Sequence, residues 1–371
     1  MTDIHAMVRP EVAPLPPYNA GLSSGTVRER YGATHIARLA SNENPYGTSP
    51  GVARALADVG TSISDYPDPQ CVALRGAIAA RCGVDPACIT IGNGSEDLLR
   101  TLCIAFLSPG EWVLTQRPSF GLHEIYPNMM GARVELLALT PELGFDVQAW
   151  CQALARGPKV AMIANPSNPV GCMFDADAFA RLVEAAPAHT LLVIDEAYCE
   201  YARHAPGFPD ALGMLRARKQ PWIVLRTFSK AWGLAGLRVG YGIASDPELV
   251  KALDRVRAPF NVNHAAQVAA LAAWSDPAFM EKAVAETIRC REIMRGQLKG
   301  LGLRVAPSVA NFLFVDMGRP NGPVNEMLLA HGIITKPWAD PGYESFIRVS
   351  IGTEADNARF VQVIERLLDT A

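Results

Sequence analysis

Lys230 is the residue whose type and position most directly suggest covalent chemistry. It follows the apolar run Trp222 to Leu225 and enters a loop that contains glycine, a setting that the other lysines lack. A lysine amine forms an imine with a carbonyl compound when burial or neighbouring groups lower its pKa. The hydroxyls of Thr227 and Ser229 and the guanidinium of Arg238 could hold a phosphate beside it. A Ser-Lys pair is also common on protein surfaces, so the interpretation depends on the segments described next.

Asp195 is a second candidate, because the apolar run Leu191 to Ile194 delivers its carboxylate at the end of a predicted strand. A carboxylate in that position can keep a heteroaromatic ring nitrogen protonated. Tyr198, three residues further on, could hydrogen-bond a phenolate oxygen. An aspartate that merely caps the element after the strand is an equally good interpretation of this segment taken alone.

Two turns complete the set of candidates. The proline-fixed turn Asn165 to Gly171 projects Asn168 toward the same sheet edge, where its amide could donate to a phenolate oxygen. Gly94, Ser95 and Glu96 lie between a predicted strand and a helix, where backbone N–H groups form an anion site. A helix cap alone would explain the serine equally well. Because four segments supply four requirements of one cofactor, we infer a site for pyridoxal 5'-phosphate (PLP).

The composition is that of a globular protein, with 49% hydrophobic and 19% charged residues and a formal net charge of −3. There is no basic excess and no run of five like charges, so nucleic acid and anionic membrane surfaces are poor candidates as partners. No window approaches 18 uncharged apolar residues. The eight cysteines form no C-x-x-C pair, which favours buried free thiols over disulfides or a metal site. We therefore expect a cytoplasmic protein without a metal.

The elements that must position the candidates belong to an α/β fold. Short, branched apolar runs alternate with amphipathic stretches up to about residue 260, which predicts a mostly parallel sheet with helices on both faces. Ligands bind at the carboxyl ends of such strands, so the candidate residues should meet at one edge. The predicted strands are Ile89 to Ile91, Trp112 to Leu114, Val134 to Leu137, Val160 to Ile163, Leu191 to Ile194, Trp222 to Leu225 and Val239 to Ile243.

The chain divides into three predicted parts: an arm rich in proline and glycine over residues 1–35, a large cofactor-binding domain over 36–262, and a smaller α+β domain over 263–371. The last part is predicted to contain a long helical region over 264–300, strands at Phe312 to Val315 and Phe346 to Ser350, and a final helix that opens at Thr353.

Over nearly its whole length the sequence resembles the fold-type-I, aspartate aminotransferase-like PLP enzymes, and within them the histidinol-phosphate aminotransferase group. The motifs that carry the resemblance agree in order and spacing. They are Asn42-Glu43-Asn44-Pro45-Tyr46-Gly47, Tyr66-Pro67-Asp68-Pro69, Gly92-Asn93-Gly94-Ser95, Asn165 to Gly171, Asp195 to Tyr198, Thr227 to Arg238 and Ile347 to Thr353.

The resemblance implies specific roles for these residues. Lys230 would hold the cofactor as an imine and, once the substrate amine displaces it, would carry a proton between the substrate and cofactor carbons. Phe120 would stack on the pyridine ring, and Tyr66 would reach the phosphate from the neighbouring subunit of a homodimer. The phosphate would otherwise be held by the backbone of Ser95 and Glu96 and by the side chains of Thr227, Ser229 and Arg238.

The resemblance also implies where the substrate binds. Arg348 aligns with the arginine that receives a carboxylate or a phosphate, and a planar guanidinium suits either by a two-point contact. Tyr18 and Asn44 match positions that line the pocket. Lys336 stands where phosphate-specific members usually place an arginine, and lysine lacks the bidentate contact. The aromatic segment Trp338 to Tyr343 follows Lys336. Together, the lysine in place of an arginine and these aromatics keep open the alternative of an aromatic or broad-specificity substrate.

The expected reaction moves an amino group between a small-molecule amino donor, histidinol phosphate, and a 2-oxo acid acceptor, 2-oxoglutarate, as in histidine biosynthesis. An aromatic or broad-specificity amino-acid aminotransferase is the first alternative. A PLP lyase of the threonine-phosphate decarboxylase type is less favoured. A non-enzymatic regulator on the same fold would carry an added DNA-binding domain, and the short segment before Asn42 leaves no room for one.

Overall fold

The computed structural model of the protein describes residues 4–17, 19 and 21–369. The strands in this part of the chain are β1 Ala37–Arg38, β2 Ile89–Gly92, β3 Trp112–Arg117, β4 Arg133–Ala138, β5 Val160–Ala164, β6 Leu191–Asp195, β7 Trp222–Thr227, β8 Gly240–Ala244, β9 Arg304–Val305, β10 Phe312–Asp316, β11 Ile333–Ile334, β12 Lys336–Pro337 and β13 Phe346–Ser350.

The α-helices of the same residues are α1 Ser24–Tyr31, α2 Pro50–Ala57, α3 Val72–Cys82, α4 Ser95–Phe106, α5 Leu122–Met129, α6 Val147–Ala155, α7 Ala176–Ala185, α8 Cys199–Ala202, α9 Ala211–Arg216, α10 Pro247–Asp254, α11 His264–Trp274, α12 Pro277–Gly300, α13 Asn321–Ala330 and α14 Glu354–Asp369. Single 3-10 turns lie at Ile4–Met7, Val59–Thr61, Pro86–Cys88 and Ala235–Leu237.

The central sheet has the strand order β2-β8-β7-β6-β5-β3-β4. Strand β8 runs antiparallel to β2 and β7, and the remaining neighbours are parallel. Each strand predicted for this sheet is present, and the predicted α/β class is confirmed. Because β5, β6 and β7 are adjacent and parallel, their carboxyl ends lie side by side at one edge of the sheet.

Strand β6 shows why the apolar runs of the sequence form the central strands of the sheet. Leu192 and Ile194 pack into the core on one face, and Leu191 and Val193 pack into the core on the other. Burying one such branched side chain stabilises the fold by about 1.5–3 kcal/mol relative to leaving it exposed. Strands covered on both faces are therefore continuously apolar. The first polar residue, Asp195, appears where the strand reaches the open edge.

The predicted helical region over residues 264–300 is two helices rather than one, α11 and α12. The break occurs because the side chain of Asp276 accepts from the backbone N–H of Phe279 and caps the second helix. Pro277, which has no N–H to donate, occupies the first turn of that helix. The final helix begins one residue after Thr353, whose hydroxyl accepts from the N–H of Asp356 at 3.2 Å.

A second, antiparallel sheet with the order β12-β13-β10-β9 forms the C-terminal part, and helices α12, α13 and α14 pack around it. Strand β1 pairs in parallel with β11, and Ala37 and Leu39 lie in the same core. The stretch Ala37–Leu39 therefore packs with the C-terminal part, while the start of the large domain at residue 36 stays a prediction. The rest of the predicted division stays a prediction.

Across residues 4–17, 19 and 21–369, no helix combines the length and the apolar character needed to cross a membrane.

Candidate active site

A cavity of about 420 Å³ opens at the carboxyl ends of the parallel strands, with the last residues of β5, β6 and β7, namely Ala164, Asp195 and Thr227, on its wall. Polar side chains from distant segments meet here, as the topology requires. The predicted site residues that line the cavity are Ser95, Glu96, Phe120, Asn168, Asp195, Tyr198, Thr227, Ser229, Lys230, Arg238, Lys336 and Arg348.

Lys230 follows β7 and projects into this cavity. Its Nζ donates to the backbone carbonyl of Ser41 at 2.7 Å and lies 5.9 Å from the ring centre of Tyr198. Burial, and after it the positive charge of Arg348, lower the pKa of Lys230 from 10.5 to about 7. At pH 7 roughly half of the amine is therefore neutral, compared with about one part in 3,000 for an unperturbed lysine. The lowered pKa makes the neutral form of this amine, the form that can act as a nucleophile, accessible at neutral pH.

Asp195 is buried, and a histidine that does not line the cavity hydrogen-bonds its carboxylate. Nε2 of the fully buried His123 donates to its Oδ2 at 3.1 Å, and the N–H of Ala197 donates to its Oδ1 at 3.1 Å. Nδ1 of His123 in turn contacts Oγ of Ser119 at 3.1 Å. The carboxylate is thus oriented by groups outside the cavity while its residue remains on the cavity wall. His123 is a site residue that the sequence did not reveal.

The N-terminus of α4 forms one end of the cavity. Ser95 opens this helix of 12 residues, and the preceding Gly94 has a φ of 90°, a conformation that favours glycine. A Cβ on that glycine would lie 2.6 Å from Nη2 of Arg238, and a Cβ on Gly240 of β8 would lie 2.4 Å from the backbone nitrogen of Ser95. The absence of side chains at both glycines lets a guanidinium and backbone N–H groups converge, which is the arrangement of an anion site.

Arg238 carries the positive charge of this anion site. Its Nη1 donates to Oγ of Ser229 at 3.3 Å and to the carbonyl of Ala235 at 3.1 Å. Oγ1 of Thr227 accepts from the backbone N–H of Ser229 at 3.1 Å, so this hydroxyl is held close to the residue that carries the second one. Nη2 of the arginine lies 3.8 Å from Oε2 of Glu96. One guanidinium, two hydroxyls and a helix N-terminus therefore surround one end of the cavity.

The side chain of Glu96 has a partner that the sequence did not suggest. The hydroxyl of Tyr126 donates to its Oε1, and this tyrosine also lines the cavity. Burial and that hydrogen bond raise the pKa of Tyr126. Glu96 thus contacts both Tyr126 of helix α5 and Arg238.

Asn168 and Arg348 lie together at the opposite side of the cavity. Nη1 of Arg348 donates to Oδ1 of Asn168 at 2.5 Å, and its Nη2 donates to the carbonyl of Ala40 at 2.5 Å. Arg348 extends from the middle of β13, so the C-terminal sheet contributes a buried guanidinium to a cavity built by the central sheet. The asparagine amide keeps its N–H donors for another acceptor, because its oxygen is the atom that Arg348 contacts.

Tyr198 and Phe120 complete the wall. The hydroxyl of Tyr198 accepts from Nδ2 of Asn42 at 2.9 Å, and Oγ of Ser350 donates to Oδ1 of the same asparagine at 2.8 Å. Phe120 lies edge-on to His123, with 5.8 Å between the ring centres, close to the residue that holds Asp195.

Lys336 lines the cavity from β12, and its Nζ donates to the carbonyl of Asn19 at 2.5 Å. Burial and the charge of Arg348 lower its pKa. Two cations therefore face one region, which favours an anionic ligand group there. The aromatic side chains of Trp338 and Tyr343 instead pack against Phe314, away from the cavity wall. These two aromatic residues are therefore not among the residues that line this cavity, and the breadth of substrate that they suggested stays a prediction.

Two predicted side chains lie elsewhere. Asn44 anchors its loop by donating to the carbonyl of Ala231 at 2.9 Å, and its neighbours Asn42 and Glu43 line the cavity in its place. Tyr66 is 82% exposed and stacks on Phe260 with 4.4 Å between ring centres. Tyr18 lies outside the described residues.

The sequence model of the family "Aminotransferase class I and II" matches residues 34–364. The chain belongs to the class I and II aminotransferases. This aminotransferase is 44% identical over 360 residues to histidinol-phosphate aminotransferase 3 of Rhizobium meliloti (strain 1021), with 97% of each chain covered. It is 45% identical over 371 residues to histidinol-phosphate aminotransferase 1 of Mesorhizobium japonicum, with 99% of this chain and 100% of that one covered.

The aminotransferase also superimposes on a solved structure, histidinol-phosphate aminotransferase from Sinorhizobium meliloti in complex with pyridoxal-5'-phosphate. The two share 28% sequence identity with a TM-score of 0.88, and 98% of each chain is covered. The predicted fold, fold type I with an aspartate aminotransferase-like architecture, is confirmed.

Proposed function

We propose that this protein is a PLP-dependent transaminase that exchanges an amino group between histidinol phosphate and 2-oxoglutarate, the reaction of histidine biosynthesis. The observation that carries the proposal is Lys230, an amine with a pKa of about 7 that shares one cavity with a histidine-bound carboxylate and a cation-lined anion site. The names of the full-length relatives support the choice of histidinol phosphate.

The residues of the cavity fit PLP. A phosphate group fits the end formed by the N-terminus of α4 and Arg238, where glycines at 94 and 240 remove the side chains that would obstruct it. Asp195 can accept a hydrogen bond from a protonated ring nitrogen, because each carboxylate oxygen has two acceptor sites and His123 and Ala197 use one on each oxygen. Asn168 and Tyr198 can hydrogen-bond the phenolate oxygen, and Phe120 can stack on the ring.

PLP, when bound, supplies an electron sink for the charge that develops at the substrate carbon. The residues of the chain supply the rest. Asp195, oriented by His123, holds a proton at the ring nitrogen and so maintains that sink. Lys230 binds the cofactor covalently and, when free, moves a proton at the substrate carbon, which requires an amine with a pKa near the operating pH. Arg348 and Lys336 attract the acid group of the substrate and orient it.

A homodimer is part of the proposal. Tyr66 and Phe260 form an exposed stacked pair, and Ile63, Val72 and Val256 are exposed apolar side chains. Such a surface suits a contact with a second copy of the chain, in which Tyr66 would reach the neighbouring cavity. We further propose a reducing, cytoplasmic setting, because the eight cysteines are free thiols in the structure.

An aromatic or broad-specificity amino-acid aminotransferase is the second candidate, and Lys336 in place of an arginine is the observation that favours it. Purified enzyme should be given histidinol phosphate or phenylalanine as donor with 2-oxoglutarate as acceptor. We expect faster formation of glutamate from histidinol phosphate. Turnover of phenylalanine alone would replace our proposal with the second candidate, and release of CO₂ without dependence on an oxo acid would identify a lyase.

A further inference from the structure

Glu43 is an acidic residue on the cavity wall for which the proposed chemistry has no use. Of the described residues that line the cavity, the carboxylates are Glu43, Glu96 and Asp195. Asp195 is held by His123, and Glu96 is held by Tyr126 and lies beside Arg238. Glu43 belongs to neither arrangement.

The contacts of Glu43 leave part of its carboxylate available. Its Oε1 accepts from Nη2 of Arg38 at 2.5 Å, and that arginine lies outside the main cavity wall with 62% of its side chain exposed. Within residues 4–17, 19 and 21–369, no side chain or backbone group donates to the second oxygen, Oε2. The side chain is 31% exposed, so a ligand in the cavity can reach it. Arg38 fixes the orientation of the carboxylate.

Glu43 also lies near the reacting amine. Ser41, two residues earlier, accepts from Nζ of Lys230, and the charge of Glu43 is strong enough at that lysine to act against the lowering of its pKa. A side cavity of about 180 Å³ adjoins the same segment, with Ala40, Ser41 and Glu43 on its wall together with Arg38. Ser23 and Ser24 also line it, together with the apolar side chains of Leu22 and Ile334.

We propose that Glu43 determines the choice of amino donor by accepting a hydrogen bond from a ring N–H, neutral or protonated, on the donor's side chain. The inference rests on the proposed function, since imidazole carries such an N–H. Glutamate and phenylalanine lack it. With the acid group of the donor at Arg348 and its amine at Lys230, Glu43 supplies a third point of recognition that separates these donors.

A hydrogen bond to a charged group contributes about 1.5–3 kcal/mol, which corresponds to roughly tenfold to hundredfold in kcat/KM between donors that make it and donors that do not. Glu135 provides a matched control, because it is equally exposed and pairs in the same way with an exposed arginine, Arg156, on the distant strand β4. A carboxylate that serves only as half of a surface ion pair would behave like Glu135.

The test measures kcat/KM of the PLP-loaded enzyme for histidinol phosphate and for glutamate by single-turnover spectroscopy. We expect the ratio of the two values to fall about tenfold in Glu43→Gln and further in Glu43→Ala, to recover in part in Glu43→Asp, and to stay at the wild-type value in Glu135→Gln. An equal loss with both donors, or an unchanged ratio, would overturn the inference while the proposed function stands. Wild-type enzyme that leaves histidinol phosphate unreacted would overturn both.

Discussion

Nε2 of His123 lies 3.1 Å from Oδ2 of Asp195, and the histidine is completely shielded from solvent. The two residues are 72 positions apart, one on α5 and one at the end of β6. Because a carboxylate only accepts, this contact fixes which ring nitrogen of the histidine carries a hydrogen. His123 therefore acts through Asp195 as a positioning residue.

Replacing His123 should impair turnover more than binding. In His123→Phe we expect kcat to fall about tenfold or more with little change in KM for the donor, since Asp195 loses an orienting hydrogen bond. His123→Asn, which keeps an N–H donor, should retain more activity. His204→Asn, a substitution at an exposed histidine, is the control. Steady-state kinetics test this, and an unchanged kcat in the phenylalanine variant would contradict it.

The lowered pKa of Lys230 predicts how cofactor loading depends on pH. The neutral amine is the reactive form, so the rate at which the apoenzyme takes up PLP covalently should rise with pH and reach its half-maximum near pH 7. Arg348→Gln removes a positive charge that lowers the pKa, so its midpoint should move to higher pH. Stopped-flow absorbance, recorded over a range of pH, measures the midpoint of the wild type and that of the variant. A wild-type midpoint near pH 10, or an unchanged midpoint in Arg348→Gln, would refute the assignment of Lys230 as a reactive amine with a lowered pKa.

The anion site depends on a glycine in β8. In Gly240→Ala the new Cβ would lie 2.4 Å from the backbone nitrogen of Ser95, and overpacking of this kind costs about 1–3 kcal/mol. We expect weaker PLP binding and a lower Tm. Gly76→Ala is the control, because that glycine lies in α3 with open space around it, and alanine favours a helix by up to about 1 kcal/mol. Equal PLP affinity in both variants would argue against the site.

Tyr66 should complement a defect in the other subunit. Tyr66→Ala and Lys230→Ala homodimers should each be impaired, whereas a mixed dimer has one cavity with both residues intact. After random reassortment of equal amounts, about a quarter of wild-type activity should return, because half the dimers are mixed and each has one working site of two. Refolding the two variants together and assaying turnover tests this. If no activity returns, Tyr66 contributes either to the cavity of its own subunit or to no cavity.

The central sheet could be predicted because each strand is a separate apolar run that packs on both faces, as Leu191 to Ile194 does. The pairing of Ala37–Arg38 with Ile333–Ile334 could not, since two residues carry no periodic signal and their partners are almost 300 positions away. The break before Pro277 had a local signal in Asp276-Pro277, the same cap-and-proline pattern that marks the start of α10.

The site was predictable where a motif ends a strand, as at Asp195 and Lys230. It was not predictable where tertiary packing supplies the partner. His123 stands in the ordinary helical stretch Leu122–Met129 and gains its role only from contact with a distant strand. Glu43 and Asn44 belong to one motif, but Glu43 lines the cavity whereas Asn44 donates to the carbonyl of Ala231. The backbone conformation decides which of the two reaches the cavity, and the motif does not show it.

The central claim, that Lys230 binds the cofactor covalently, is tested most directly by borohydride reduction of the PLP-loaded enzyme followed by peptide mass spectrometry. We predict that the reduced cofactor is found on the peptide that contains Lys230 and that Lys230→Ala loses both this adduct and the visible absorption band. Lys251→Ala, at an exposed lysine, should keep both. A Lys230→Ala protein that still carries the reduced cofactor on another lysine and keeps the visible band would contradict the account.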